Sequence, residues 1–276
     1  MLVGCSLLCL AIAVPATLAH AQPPSEQGRA SVSELSAKAE AGDAEAQSNL
    51  GWAYYNGDGV GEDAVEAVKW FRLSAEQGHA SGQNRLGVAY QYGKGVPKDV
   101  AVSLAWYRRA ADQGFLQAQL NLAWTYNNGL GVPRDYREAA VWYRKAAEQG
   151  HAGAQSDLGV AYLNGEGVRK DTREAERWLQ KASAQGYAVA TFRIASMYWN
   201  EVFGGGGVIG VVAIDHFEKA AEQGYPLSAL RLGESTPVVR ATTHAMIRRP
   251  ACGPWLPRGS RSVTNGRDVN RRRQPK

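Results

Sequence analysis

Histidine, serine and acidic side chains are the residues of this chain whose types could support hydrolysis or metal binding. His79 and His151 each directly follow a glycine of one repeated motif, and His216 and His244 have no further ligand at a metal-binding spacing. The Ser-x-x-Lys, Gly-x-Ser-x-Gly and His-Glu-x-x-His motifs of hydrolases do not occur. We therefore predict no catalytic residue, no metal site and no cofactor.

Paired glycines recur along the chain, and such pairs also occur in phosphate-binding loops. The pairs that begin at Gly57 and Gly93 follow predicted helices, whereas a dinucleotide-binding loop follows a strand and opens a helix. The segment from Asn56 to Asp63 contains acidic residues, but later copies lack them and the spacing of a calcium loop is absent. These patterns favour solvated turns over ligand sites.

The elements that position these residues repeat with a period of 36 residues. Four residue types share this spacing: Gly42, Gly78, Gly114, Gly150 and Gly186; Leu50, Leu86, Leu122, Leu158 and Ile194; Tyr54, Tyr90, Tyr126, Tyr162 and Tyr198; and Trp70, Trp106, Trp142 and Trp178. Because four sets agree, the pattern indicates one structural unit repeated in tandem.

Each unit has the apolar spacing of two helices joined by a Gly-x-Gly-Val turn. Asp63 precedes the second helix of the first unit and, together with Glu66, predicts a capping box that recurs in two later units. The glycine after each second helix suits a left-handed C′ position. We predict an all-α fold, a right-handed α/α superhelical solenoid of about five hairpins.

The predicted organisation begins with a signal peptide (1–21) and a linker (22–30), followed by the solenoid (31–233) and a disordered basic tail (234–276). The solenoid divides into a helix cap 31–41 that opens with a capping box of Ser31 and Glu34, repeats 43–78, 79–114, 115–150 and 151–186, a degenerate repeat 187–224 and a half repeat 225–233. In the degenerate repeat a glycine-rich segment from Val202 to Gly210 replaces the usual turn.

The two ends of the chain differ in composition from the repeats. Residues 2–19 are apolar and lead to Ala19-His20-Ala21, which predicts export to the periplasm or medium, with no membrane span after cleavage. A retained anchor is the alternative, and Pro15 opposes it. From residue 235 onward nine arginines and one lysine stand against one aspartate, so this tail carries +9 and the rest of the chain −4. The tail is either natural or the product of a frameshift, and we expect no nucleic-acid partner.

The repeated motif is similar to that of Sel-1-like repeats, which are relatives of tetratricopeptide repeats. The resemblance rests on the motif Ala-x-Ala-Gln-x-x-Leu-Gly-x-x-Tyr-x-x-Gly-x-Gly-Val, followed by Asp-x-x-x-Ala-x-x-Trp-Tyr-x-x-Ala-Ala-x-Gln-Gly. Residues 115–150 and 151–186 match this motif most closely. The resemblance covers about residues 31–233. It implies an adaptor or scaffold, and some exported members with a Cys pair in each repeat have been associated with β-lactam binding. This chain lacks those cysteines, so that activity is not expected.

Residues opposite Leu50 on the first helices point to the inner face of the predicted superhelix. They vary between repeats and include aromatic and basic side chains typical of binding hot spots. The predicted contact residues of this groove are Trp52, Tyr55, Arg85, Gln91, Trp124, Asn127, Leu163 and Trp199, and Arg193 is expected near its edge. The alternative is that superhelical curvature buries them against neighbouring first helices.

These observations predict a monomeric protein-binding scaffold or adaptor of the bacterial envelope or secreted fraction, and not an enzyme. Its partner would be a peptide or another protein held in the groove. Two alternatives stay open: an exported envelope hydrolase with a nucleophile and base near the Gly204 to Gly207 loop, and a truncated repeat protein without function.

Overall fold

The computed structural model describes residues 26–202 and 208–228, which form eleven α-helices and contain no β-strand. The helices are α1 (Glu26–Glu40), α2 (Ala44–Asn56), α3 (Ala64–Glu76), α4 (Ala80–Tyr92), α5 (Val100–Asp112), α6 (Leu116–Asn128), α7 (Tyr136–Glu148), α8 (Ala152–Asn164), α9 (Thr172–Ala184), α10 (Ala188–Val202) and α11 (Val208–Glu222). The predicted all-α solenoid fold is confirmed.

Five hairpins follow α1, and each pairs one first helix with the second helix behind it: α2 with α3, α4 with α5, α6 with α7, α8 with α9 and α10 with α11. The leucine or isoleucine of each first helix is at most 1% exposed: Leu50, Leu86, Leu122, Leu158 and Ile194. Burying such a side chain contributes about 1.5 to 3 kcal/mol. This column therefore stabilises every hairpin in the same way.

Aspartates start four of the second helices, but their hydrogen bonds differ from a capping box. Asp63 accepts from the backbone N–H groups of Val65 and Glu66, while its own N–H donates to the carbonyl oxygen of Tyr54 at 2.9 Å. The Glu66 carboxylate pairs instead with Lys69 at 2.6 Å. Since the backbone of the preceding helix already satisfies the Asp63 N–H, the predicted return bond from Glu66 is unnecessary.

The same arrangement explains why Asp99 caps α5 although Val102 stands in the glutamate position. Asp99 accepts from the Val102 N–H at 3.0 Å, and its own N–H donates to the Tyr90 carbonyl at 2.9 Å. The aspartate and the tyrosine carbonyl, rather than the glutamate, are thus the elements that start these helices.

A ladder of glutamines joins each repeat to the next. Four buried glutamines donate through Nε2 to an alanine carbonyl of the preceding helix at 3.1 to 3.3 Å. Each also accepts through Oε1, at 2.7 to 2.8 Å, from a glutamine at the end of the following second helix. They are Gln47, Gln83, Gln119 and Gln155. We call this set the glutamine ladder. Each member fixes three consecutive helices at once.

The ends of the described region differ from the predicted boundaries. Helix α1 begins at Glu26, so Ser31 lies within the helix rather than at its N-terminus, where the predicted capping box with Glu34 placed it. Helix α11 begins at Val208, and residues 203–207 of the glycine-rich turn lie outside the described residues. The predicted signal peptide and basic tail also lie outside them. Within the described residues, no helix is both long and apolar enough to cross a membrane.

Candidate partner-binding surface

The predicted groove residues of the first helices do not share one environment. We define the first-helix surface as the positions of Trp52 and Tyr55 and their later counterparts, which are Val88, Gln91, Trp124, Asn127, Val160, Leu163, Ser196 and Trp199. Trp52 and Trp124 are 38% and 47% exposed, whereas Tyr55 and Gln91 are only 9% and 7% exposed. Tyr55 and Gln91 are therefore largely unavailable to a partner.

Trp52 is exposed, but its indole is covered in part by neighbouring side chains. The ring stacks on Tyr55 with centroids 5.5 Å apart, and the guanidinium of Arg85 lies 5.2 Å from the Trp52 ring centroid. Arg85 is held there because it donates to Ser48 Oγ at 2.9 Å and to Asn49 Oδ1 at 3.0 Å. The next repeat thus supplies a cation to this tryptophan.

Tyr55 has a cation of its own in Lys94. The Lys94 ammonium lies 4.1 Å from the Tyr55 ring centroid, donates to the Tyr55 carbonyl at 2.7 Å and pairs with Glu62 at 2.9 Å. We call Trp52, Tyr55, Arg85 and Lys94 the Trp52 cluster. Its aromatic rings already have cationic partners from within the chain.

Gln91 links its own hairpin to the next repeat. The Tyr107 hydroxyl donates to Gln91 Oε1 at 2.6 Å, and Gln91 Nε2 donates to Thr125 Oγ1 at 3.4 Å. Burial raises the pKa of Tyr107, so the phenol stays a neutral donor at physiological pH. Gln91 therefore belongs to a buried network rather than to a contact surface.

The corresponding pair in the following repeat, Asn127 and Tyr143, does not form this bond. Tyr143 is 7% exposed, and its hydroxyl has no hydrogen-bond partner among the residues that the structure describes. Asn127 is one methylene shorter than Gln91. In addition, Ala123 occupies a position at which Gly87 allows close approach, since a Cβ at Gly87 would lie 2.7 Å from the Tyr107 ring. The Tyr143 ring consequently cannot pack against α6 as Tyr107 packs against α4.

A cleft of about 270 Å³ opens where this packing changes. We call it the Trp124 cleft, and its functional side chains are Trp124, Asn127, Tyr143, Asp157, Glu166 and Arg193. Arg193 donates to Asp157 Oδ1 at 2.9 Å and to Ser156 Oγ at 2.7 Å. Burial and the nearby Asp157 carboxylate raise the pKa of Tyr143, which keeps its hydroxyl protonated.

The remaining predicted contact residues lie in packed surroundings. Leu163 is half-buried against the cluster that contains Leu179 and Ile194. Trp199 is also half-buried, and its ring meets Phe217 edge to face with centroids 6.0 Å apart. At this end of the first-helix surface, the aromatic side chains contribute to packing between α10 and α11.

Prediction from each first helix alone did not find four residues of the Trp52 cluster and the Trp124 cleft. They are Lys94, Tyr143, Asp157 and Glu166. Lys94 and Glu166 lie in turns, and Tyr143 lies on a second helix. A comparison of residues at the same repeat position would have found three of them, because Lys94 corresponds to Glu166 and Arg85 corresponds to Asp157.

One serine and one histidine come close enough to consider a nucleophile and a base. Ser74 Oγ lies 3.2 Å from His79 Nδ1, but Ser74 is fully buried and its hydroxyl donates to the Ala44 carbonyl at 2.6 Å. Since a carbonyl oxygen can only accept, His79 must donate to Ser74 rather than remove its proton. This pair is therefore structural, and residues 204–207 of the proposed hydrolase loop lie outside the described residues. Within the described ranges, no cluster of three or more His, Cys, Asp or Glu side chains could hold a metal ion.

The two tyrosines give a testable contrast. Tyr107→Phe should lower the free energy of unfolding by about 1 to 2 kcal/mol, because Gln91 Oε1 then loses its buried donor. Tyr143→Phe should change it by less than about 0.5 kcal/mol, because no hydrogen bond is lost. Urea unfolding followed by circular dichroism measures both variants. Equal losses would contradict the different environments of the two hydroxyls.

Comparison with known proteins places the repeats in one family. The Sel1 repeat model matches residues 44–79, 80–115, 116–151, 152–187 and 188–225. A protective antigen of uropathogenic Escherichia coli with an SLR fold is 32% identical, with a TM-score of 0.65 over 79% of this chain, and this chain covers 52% of its length. A Sel1 repeat protein from Oxalobacter formigenes is 27% identical, with a TM-score of 0.64 over 80% of this chain and 99% of that protein. No curated protein matches the sequence. The chain belongs to the Sel1 repeat family.

Proposed function

We propose that this protein is a binding scaffold that holds a peptide or a helix of a partner protein on the first-helix surface. Sel1 repeat proteins are generally protein-interaction scaffolds and generally not enzymes. The observation that carries the proposal for this chain is the exposure of Trp52 and Trp124, at 38% and 47%, at the same repeat position two units apart. Exposed tryptophans of this kind are typical of binding hot spots.

The polar side chains around the two tryptophans suit a peptide ligand. Arg85 and Arg193 are fixed at matching positions by Ser48 and Ser156 of the preceding first helices. Held side chains lose little conformational entropy when a ligand binds. The partner would thus meet aromatic rings framed by preorganised hydrogen-bonding groups. We further propose that the protein works outside the cytoplasm, on the basis of its apolar N-terminal segment.

Partner capture by the full chain tests this function. Trp52→Ala combined with Trp124→Ala should lower the affinity for the partner by at least about 30-fold, since one hot-spot tryptophan contributes about 2 kcal/mol of binding free energy. The partner is first identified by crosslinking and mass spectrometry with the unaltered chain, and its affinity is then measured by calorimetry.

The matched control uses exposed apolar residues of the second helices. Leu73 and Val141 are 45% and 47% exposed and lie on α3 and α7. Leu73→Ala combined with Val141→Ala truncates two apolar side chains of similar fractional exposure and should leave the affinity within about 2-fold. Undiminished binding by the tryptophan double variant would overturn the proposal.

A further inference from the structure

The Trp52 cluster and the Trp124 cleft occupy the same place in the repeat pattern, and their charges are opposite. Arg85 and Lys94 of the second repeat lie over Trp52 and Tyr55 of the first. The residues at the same two positions of the fourth repeat are Asp157 and Glu166. Two cations that cover aromatic rings in one part of the solenoid are thus replaced by two acids in the other.

The acids of the Trp124 cleft are only partly neutralised. Asp157 pairs with Arg193 through Oδ1, which leaves Oδ2 without a partner among the described side chains. Glu166 forms no ion pair within the part of the chain that the structure describes. Arg134 is engaged by Tyr136, which lines the cleft: its guanidinium donates to the Tyr136 hydroxyl at 2.9 Å and lies 5.6 Å from that ring centroid. Negative charge therefore remains available inside the cleft.

The cleft also offers acceptors and one exposed aromatic face. Tyr143 is only 7% exposed, its hydroxyl has no hydrogen-bond partner among the described residues, and it lines the cleft together with Asn127. Trp124 is 47% exposed, and no cation of the described residues lies over its ring, in contrast to Trp52. A volume of about 270 Å³ is below the range of sites for drug-sized ligands, so one long side chain is a suitable occupant.

We infer that the Trp124 cleft binds the guanidinium of an arginine in the partner peptide. The arginine stacks on the Trp124 indole, as Arg85 does on Trp52 within the chain, and donates to Asp157 and Glu166. A guanidinium fits better than an ammonium because it is planar and presents five donors to several acceptors. This inference rests on the proposed function, since it names the side chain by which the partner is recognised.

Nitrogen-15 spectra of tryptophan indoles in the full chain provide the test. The chain has eight tryptophans, and substitution by phenylalanine assigns Trp124 and Trp52. Titration with N-acetyl-arginine amide should shift the Trp124 indole resonance saturably, with half-saturation on the order of 5 mM, as expected for one side chain. The Trp52 indole is the internal control, and its resonance should stay in place because Arg85 already covers it.

Three variants and one neutral ligand make the result decisive. Glu166→Gln removes an unpaired charge without loss of an ion pair and should lower the affinity for N-acetyl-arginine amide at least about 5-fold. Glu148 is exposed, and Glu148→Gln should leave this affinity unchanged. Asp157→Arg supplies the internal cation found beside Trp52 and should abolish the shift. N-acetyl-citrulline amide, a neutral isostere, should bind at least about 10-fold more weakly.

Three results of the titrations would overturn the inference: no saturable shift of the Trp124 resonance, an equal shift of the Trp52 resonance, or equal binding of N-acetyl-citrulline amide. A further variant tests whether the cleft binds an arginine of the chain's own tail instead of one from a partner. In this variant the nine arginines from 240 to 273 are replaced by glutamine. An unchanged Trp124 resonance supports recognition of a partner, and a shifted one assigns the cleft to the chain's own tail and overturns it. Because the probe needs no partner protein, its result is independent of the capture experiment.

Discussion

Gly167→Ala is expected to lower the free energy of unfolding by at least about 3 kcal/mol, whereas Gly186→Ala should cost only about 1 kcal/mol. Both glycines have a positive φ, 71° for Gly167 and 82° for Gly186. The backbone strain of an alanine is therefore nearly the same at the two positions. The difference must come from what each new methyl group would contact.

Gly167 lies in the turn between α8 and α9, and this turn rests on the start of α7. A Cβ at Gly167 would overlap the carbonyl group of Tyr136 and lie 2.7 Å from the backbone nitrogen of Arg137. These are backbone atoms, which cannot rotate away as the end of a side chain can. A Cβ at Gly186 meets no atom within 4 Å. Only Gly167 is thus required by packing between repeats as well as by its backbone conformation.

Equilibrium unfolding in guanidinium chloride measures the two losses of unfolding free energy. The denaturant dependence of that free energy should be the same in both variants and the unaltered chain, so that only stability differs. Equal losses would mean that backbone conformation alone explains both glycines and that the contact between the turn and α7 is absent. The expected result also bears on the Trp124 cleft, because Tyr136, beneath Gly167, and Glu166, beside it, both line that cleft. Displacement of this turn in Gly167→Ala should therefore lower the affinity of the cleft for N-acetyl-arginine amide.

Local features of the repeat could be predicted from the sequence because they depend on neighbours within one hairpin. The period of 36 residues aligns Leu50 with its counterparts, and all of them are buried. Asp63 and Asp99 cap their helices as expected, since an N-cap depends on the next three residues. The return bond from Glu66 was wrongly predicted because the competing acceptor for the Asp63 N–H, the Tyr54 carbonyl oxygen, belongs to the preceding helix.

The environment of the first-helix surface could not be predicted in the same way. A helical wheel describes direction relative to a residue's own helix, but burial here depends on the next repeat. Trp52 is covered by Arg85, which lies 33 positions later, and Gln91 donates to Thr125 of the next repeat. The same wheel position is therefore a covered ring at Trp52 and the wall of an open cleft at Trp124.

The second large effect is expected in the glutamine ladder at the junction that forms the cleft. Gln155→Leu should lower the free energy of unfolding by about 2 to 3 kcal/mol, because the buried Ala147 carbonyl and the Gln185 amide each lose a partner. Gln117→Leu is the matched control. Gln117 is exposed and bonds only to Asn121 on its own helix, so its replacement should change stability by less than about 0.5 kcal/mol.

A double-mutant cycle with Gln185→Leu separates the ladder from general packing. The two substitutions together should cost about 1 kcal/mol less than the sum of the single losses, because each removes the same hydrogen bond. Strict additivity would contradict a direct bond between the two amides. Chemical denaturation of the two single variants and the double variant gives the three values required.

Hydrogen exchange should then show where the solenoid opens. Each repeat is stabilised by its own core and by its two neighbours, so a weakened junction between α7 and α8 uncouples the helices on either side of it. We expect faster exchange in α8 to α11 of Gln155→Leu and unchanged exchange in α2 to α5. The affinity for the arginine probe should also fall, because the cleft is formed from both sides of this junction. Trp124 and Tyr143 precede the junction, while Asp157 and Glu166 follow it. If exchange rose evenly along the chain, the repeats would unfold as one cooperative unit, and the cleft would not depend on this junction in particular.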